Sequence, residues 1–331
     1  MATAAVRTFH RLEGLFCVYK PAGVHWKLVR DTVETNLLKA LNAAPLQPLP
    51  QAVRFLTHPE SGTEEPKGLT VSAVSVPVLA KHPLVTGPEF QHIRVGVGHR
   101  LDAFSSGVLI LGVGKANKGL NELHHKPVTR DYTLEGEFGM ATDDFSHIGR
   151  VVERTTYDHI TRDKLDRILA VLQGANQKAL LTYSGVDMHS QEAYEMAAQG
   201  LLGPQGKSEP ILRGLRCIRF EPPNFALEVQ CFNETQKYLR KVVHEIGLEL
   251  RSTAVCKGVR RTRDGAFSLK DALTHHCWTA SAVMQAIQQY RSSNKIKKSH
   301  ARVKSTTLPL QVEDNLKAHQ QNERCTEGAV E

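Results

Sequence analysis

No two cysteines in the 331-residue sequence are spaced as CxxC, and no HExxH appears. A zinc centre is therefore not expected. The six cysteines are Cys17, Cys217, Cys231, Cys256, Cys277 and Cys325. Cys17 and Cys231 sit in apolar runs, as buried reduced thiols do, which favours cytosol, nucleus or mitochondrial matrix. No apolar run approaches the ~20 residues that a bilayer span needs. No cofactor-binding motif is visible. Acidic residues are missing ahead of Glu13, where Arg7 and Arg11 lie. That composition suits a short mitochondrial targeting segment and suits a frayed terminus equally well.

What is present is a chain with 41% hydrophobic residues, enough for a real core. Its formal charge of +8 favours a polyanionic partner, though many basic proteins bind no nucleic acid.

Residues 1–13 read as a flexible N-terminus. The run 15–19 reads as a strand ending at the Lys20-Pro21-Ala22-Gly23 turn. Val29, Val33, Leu37 and Leu41, with Leu38, form a helical stripe that Pro45, Pro48 and Pro50 stop. Residues 45–90 look like an irregular excursion with a mobile loop. Further strands are expected at 108–113, 132–138, 211–220, 225–231 and 252–263. A helix carrying Leu165 and Leu169 should end near Gly174. Another carries Leu239, Val242, Val243 and Ile246, and a last one covers 280–290. From 291 to 331 the chain turns polar and basic and is expected to be a disordered tail, leaving 14–290 as the folded domain. Irregular interleaving of strands and helices predicts an α+β fold.

One stretch calls for more than turn formation. Residues 96–116 read GVGHRLDAFSSGVLILGVGKA, with His99, Arg100 and Asp102 packed ahead of small residues and a buried strand. The HRLD-x-x-x-SG pattern resembles the central motif of one pseudouridine synthase family, RluA. Its continuation Gly107-Val108-Leu109 resembles that of another, TruB. Segments elsewhere decide for TruB. GLFCVYKPAG at 14–23 is similar to that family's opening, with Tyr19 in place of an aspartate. Arg130-Asp131-Tyr132 followed by Gly139 to Asp144, then Gly174 to Glu195, follow in order. Last come Cys231, Tyr238-Leu239-Arg240, Glu245-Ile246-Gly247 and Arg260-Arg261-Thr262. The paired prolines and lysine of the third segment are absent, and two extra residues separate Cys231 from Tyr238.

The resemblance to the TruB family implies a pseudouridine synthase fold, with a mixed, largely antiparallel sheet flanked by helices around a catalytic cleft. It implies isomerisation of uridine to pseudouridine in RNA without metal or cofactor. The unbroken HRLD, the 45–90 excursion and the missing C-terminal RNA-binding module resemble the family's mitochondrial branch in animals. That branch implies a matrix enzyme acting on mitochondrial mRNA, with tRNA a further candidate, and association with mitochondrial RNA-processing or ribosome-assembly proteins.

In that frame Asp102 is the expected nucleophile and Arg240 its cation. The target base must be flipped out, with Tyr132 as the stacking face. Substrate contacts fall to His99, Arg100, Lys20, Tyr238, Arg260 and Arg261. Either His99 or Arg100 would fill the gap left by the flipped base. Two other outcomes fit parts of the sequence. One is a TruB-like RNA-binding or RNA-folding factor without catalysis, motivated by the altered third segment. The other is a tRNA or RluA-like rRNA enzyme, motivated by HRLD. Thr142, Asp143 and Asp144 read as turn formers.

Overall fold

The structure is a computed structural model that describes residues 4–43, 50–59, 69–78, 80, 82–125, 128–187, 189–198, 203 and 209–306. The chain divides into two units, Met1–Ile287 and Gln288–Glu331. The first half of the large unit holds α1 (Ala4–Leu12), β1 (Gly14–Lys20), α2 (Trp26–Asn42), β2 (Gln51–Pro59), β3 (Leu69–Pro77), α3 (Pro83–Thr86), β4 (Val95–Val97), β5 (Ser106–Val113), α4 (Asn117–His125) and β6 (Arg130–Phe138). Its second half holds β7 (Met140–Thr142), β8 (Val151–Arg154), α5 (Arg162–Tyr183), α6 (Gln191–Ala198), β9 (Ile211–Glu221), β10 (Asn224–Phe232), α7 (Gln236–Glu249), β11 (Ala254–Asp264), β12 (Phe267–Ser268) and the start of α8 (Ala280–Thr306).

Eight strands make one sheet with the order β1-β5-β11-β6-β10-β9, β4 joining β5 and β12 joining β11. Every pairing in it is antiparallel except β5 with β11, which run parallel at Ser106–Arg260 and Gly107–Arg261. This is the α+β, mixed and largely antiparallel sheet that the sequence predicts. Two cores hold it. One packs Val29, Val33, Leu37 and Leu41 of α2 against Phe16 and Val18 of β1 and Leu109 and Leu111 of β5. The other packs Leu165 and Leu169 of α5 and Leu239, Val242, Val243 and Ile246 of α7 against β6, β9 and β10. Both helix stripes are those the 3.6-residue period picks out. Cys17 and Cys231 are buried and free, as their apolar surroundings predict.

Four stretches differ from expectation. The N-terminus is helical rather than frayed: Leu12 is buried, and Phe9 stacks on Phe90 at 5.5 Å. The 45–90 excursion contains the antiparallel ribbon β2–β3, paired from Gln51–Pro77 to Pro59–Leu69. Its Val53, Phe55 and Val71 are exposed, so alternation there never separates a core face from a wet face. Of the polar tip at 59–66, expected to be mobile, all but Pro59 lies outside the described residues. Helix α5 runs through Gly174, where an added Cβ would meet nothing, so the glycine weakens the helix without ending it. Helix α8 continues sixteen residues past Tyr290 to Thr306, through a segment rich in Lys, Arg and Ser and free of Gly and Pro. The rest of the expected tail, 307–331, lies outside the described residues.

Gly107 lies at the parallel β5–β11 pairing with φ of +112°. A Cβ there would stand 2.1 Å from the Arg261 carbonyl oxygen and 2.7 Å from its nitrogen. Gly107→Ala is therefore expected to lower stability by about 3 kcal/mol in urea unfolding. A loss below about 1 kcal/mol would contradict this packing.

Candidate active site

The turn 99–105 links β4 to β5 and is anchored by buried Leu101 and Ser105. Within it Asp102 does two things. Its Oδ1 accepts the Ser105 N–H at 2.8 Å, the ordinary task of a turn aspartate. Its Oδ2 accepts Nη1 of Arg240 at 2.7 Å. Arg240 is carried by α7, whose Leu239 and Val243 are fixed in the core, so the helix points the guanidinium back at the turn. Arg240 bonds one carboxylate oxygen and makes no fork onto both; the other oxygen accepts from Ser105. The Asp102 side chain is 34% exposed and that of Arg240 14%, so the pair is half-sheltered. The guanidinium also lies 5.3 Å from the ring centre of Phe104.

Beside this pair opens a cleft of about 620 Å³. That is within the range of small-molecule pockets. Ala22, Gly23, Phe104, His147, Ile148 and Lys257 line it together with Asp102 and Arg240. Its far wall is the β7–β8 loop. Ser146 donates its N–H and hydroxyl to Asp144, Thr142 donates to the Ser146 carbonyl at 2.7 Å, and Arg150 N–H donates to Asp143 at 3.0 Å. His147 N–H bonds the Cys256 carbonyl at 3.0 Å, which pins the loop to β11. Thr142, Asp143 and Asp144 thus form the turn expected of them, and Asp144 also faces the cleft. Burial raises the Asp144 carboxyl, but the Ser146 hydrogen bonds and the Arg240 charge bring it below its ordinary value.

Burial corrects two expected substrate contacts and the expected stacking face. Lys20 has no exposed surface; its ammonium donates to the carbonyls of Ser105 at 2.5 Å, Pro21 at 2.8 Å and Ala103 at 3.4 Å. It ties the Asp102 turn to β1 and is not available to RNA. Arg261 is also fully buried, donating to the Val108 and His99 carbonyls, each at 2.8 Å, with Asp264 at 3.5 Å. Tyr132 is buried in the sheet core, and its hydroxyl donates to Glu234 at 2.7 Å, which Arg130 also pairs at 2.7 Å. Its ring offers no open face to a base in this arrangement.

The other expected contacts occupy the surface to differing degrees. Tyr238 is half-buried against the α5–α7 core, and burial pushes its hydroxyl up to about 12. Arg260 is exposed, 5.7 Å from the Tyr19 ring centre. His99 turns toward buried Asp264 at 3.8 Å, while exposed Arg100 lies over Trp26. Sequence reasoning missed Phe104, Ile148 and Lys257 as cleft residues and Glu234 and Arg130 as buried partners. Only Phe104 carried a signal, as an aromatic inside the charged turn.

A family model described as "TruB family pseudouridylate synthase (N terminal domain)" matches residues 88–237. The chain is 57% identical over 297 residues to "Pseudouridylate synthase TRUB2, mitochondrial" of Xenopus tropicalis, covering 89% of this chain and 90% of that protein. The chain belongs to the TruB family of pseudouridine synthases. The Homo sapiens TruB-family protein of the same description is 58% identical over 84% of each chain. A chain in a solved Cbf5-Nop10-Gar1 complex is 16% identical with a TM-score of 0.44, over 81% of this chain and 54% of that one. The TruB match includes the Asp102 turn and the β7–β8 loop and stops just short of Arg240.

Lys20 gives this TruB-family enzyme a pH signature. Its pKa falls from 10.5 to about 8; burial disfavours the ammonium most, Asp102 opposes the fall and Arg261 adds to it. Between those values the unfolded chain binds the proton that the folded chain has lost. The group's contribution to stability therefore rises from about pH 8 to about 10.5. Urea-unfolding free energies of the native protein minus those of Lys20→Met should climb over that window, and a flat difference would contradict the buried charge.

Proposed function

We propose that the enzyme isomerises uridine in mitochondrial RNA, with mRNA as its main target, by base flipping and an Asp102 nucleophile. The observation that carries the site is the Asp102–Arg240 pair at the edge of a nucleoside-sized cleft. A mitochondrial location is supported by the naming of its relatives; the matrix and the mRNA target rest on the sequence resemblance to that branch.

A uridine stacked in RNA cannot present C1′ to a recessed carboxylate, so the nucleotide is extruded into the cleft. Asp102 attacks C1′, and the electrons of the C1′–N1 bond leave with N1 of the uracil. The detached base turns, C5 forms a new bond to C1′, and the carboxylate departs with its electron pair. C5 then gives up its proton to solvent and N1 takes one up, which restores the C5=C6 double bond and leaves N1–H. Arg240 aims the carboxylate for the attack and faces the negative charge that returns to it on departure. Phe104 and Ile148 supply the apolar walls for the base, and Tyr132, buried and bonded to Glu234, serves the sheet core. Residues 14–290 act as the catalytic domain. RNA-processing or ribosome-assembly proteins of the organelle are the partner class.

Asp102→Asn keeps the shape and the Ser105 hydrogen bond but removes the nucleophilic charge. Turnover is expected to fall more than about 10³-fold while RNA affinity holds. Near-normal turnover would remove Asp102 from this role. A cleft that holds one nucleotide reads local shape better than a whole folded RNA. An isolated mRNA stem-loop should therefore be modified at least as fast as an intact mitochondrial tRNA at equal salt. Strict dependence on the tRNA fold would favour a tRNA enzyme instead.

A further inference from the structure

Trp26 opens α2, three residues after Gly23 of the KPAG turn, and is nearly buried, with its neighbours Val29 and Val33 in the core. Three cations crowd this one indole. Arg100 lies 4.8 Å from its ring centre, Arg30 5.7 Å and Lys27 5.9 Å. Like charges gathered this closely repel one another, and indole attraction offsets only ~0.5–1 kcal/mol per exposed cation. Arg30 is neutralised by Asp31 at 2.6 Å. Among the described residues Lys27 and Arg100 have no carboxylate partner, and both are exposed. A charge excess of this kind is what a polyanion would relieve.

The placement says which polyanion segment. Arg100 is two residues before Asp102, and its carbonyl is held by Gln236 of α7 at 3.3 Å. Gly23 N–H bonds the Ala103 carbonyl at 2.8 Å, so the turn leading into Trp26 is tied to the Asp102 turn, and Ala22 and Gly23 line the cleft. A guanidinium whose face rests on an indole keeps its N–H edge free, and that edge is a planar fork matched to two phosphate oxygens. Lys27 adds a point charge beside it.

We propose that Trp26, Arg100 and Lys27 form a phosphate-binding platform that grips the RNA backbone next to the target uridine. The inference rests on the RNA-modifying function above and gives that cleft its backbone register. Arg100 thereby serves the phosphate and not the gap left by the base.

The test is the salt dependence of binding to a short RNA stem-loop, measured on the full chain. Each phosphate contact contributes ~0.7–0.9 to the slope of log affinity against log salt. Arg100→Gln should flatten the slope by about that amount, and Arg100→Gln with Lys27→Gln by about twice it. Arg100→Lys keeps the charge but loses the fork; it should hold the slope and raise KM several-fold. An unchanged slope in the double variant, or an Arg100→Lys enzyme with native KM, would overturn the platform. Failure of the proposed target is a separate result: the native protein would bind this RNA yet form no pseudouridine in it.

Discussion

A single ion pair, Arg240 Nη1 to Asp102 Oδ2 at 2.7 Å, joins two points 138 residues apart. Much of the molecule serves to make it. Helix α7 is locked by its buried stripe, so the guanidinium arrives from a rigid element. The carboxylate sits on a turn whose other oxygen is spent on the Ser105 N–H. A half-sheltered pair of this kind is hard to break in part, because removing one partner leaves the other charged and poorly solvated. Yet Asp102 keeps enough exposure to meet a nucleotide in the cleft.

Beneath the pair lies a second tier of charge. Lys20 gathers three carbonyls around the Asp102 turn, and Arg261 spans β5, β11 and the His99 carbonyl. Glu234 joins Arg130 to Tyr132. These buried cations are held by carbonyls and carboxylates, and a polar network of this kind favours one arrangement. In a basic RNA-modifying protein these same residues look like phosphate contacts. Only the register, which turns Lys20 and Arg261 inward beside Gly107, separates the two roles.

The strands around the site were legible because their residues are buried on a fixed face. Phe225, Leu227, Val229 and Cys231 alternate as they must, and α2 and α7 show clean stripes. The β2–β3 ribbon was not legible, since Val53, Phe55 and Val71 face outward and carry no inside–outside contrast. The N-terminal helix escaped notice because its nine residues are few for a periodic signal, and it is held by packing around Leu12. At the site, Asp102 and Arg240 stood out through motif order. Phe104, Ile148 and Lys257 meet them only through the chain's return in space, which no local spacing encodes.

The central claim is that Asp102 and Arg240 act as one unit at the reacting sugar. It is tested most directly by a double-mutant cycle on turnover with Asp102→Asn, Arg240→Ala and both together. Residues that act as a unit are strongly non-additive. The account predicts that the double variant is no slower than Asp102→Asn alone, within about threefold. Fully multiplicative losses would show two independent contributions and contradict it.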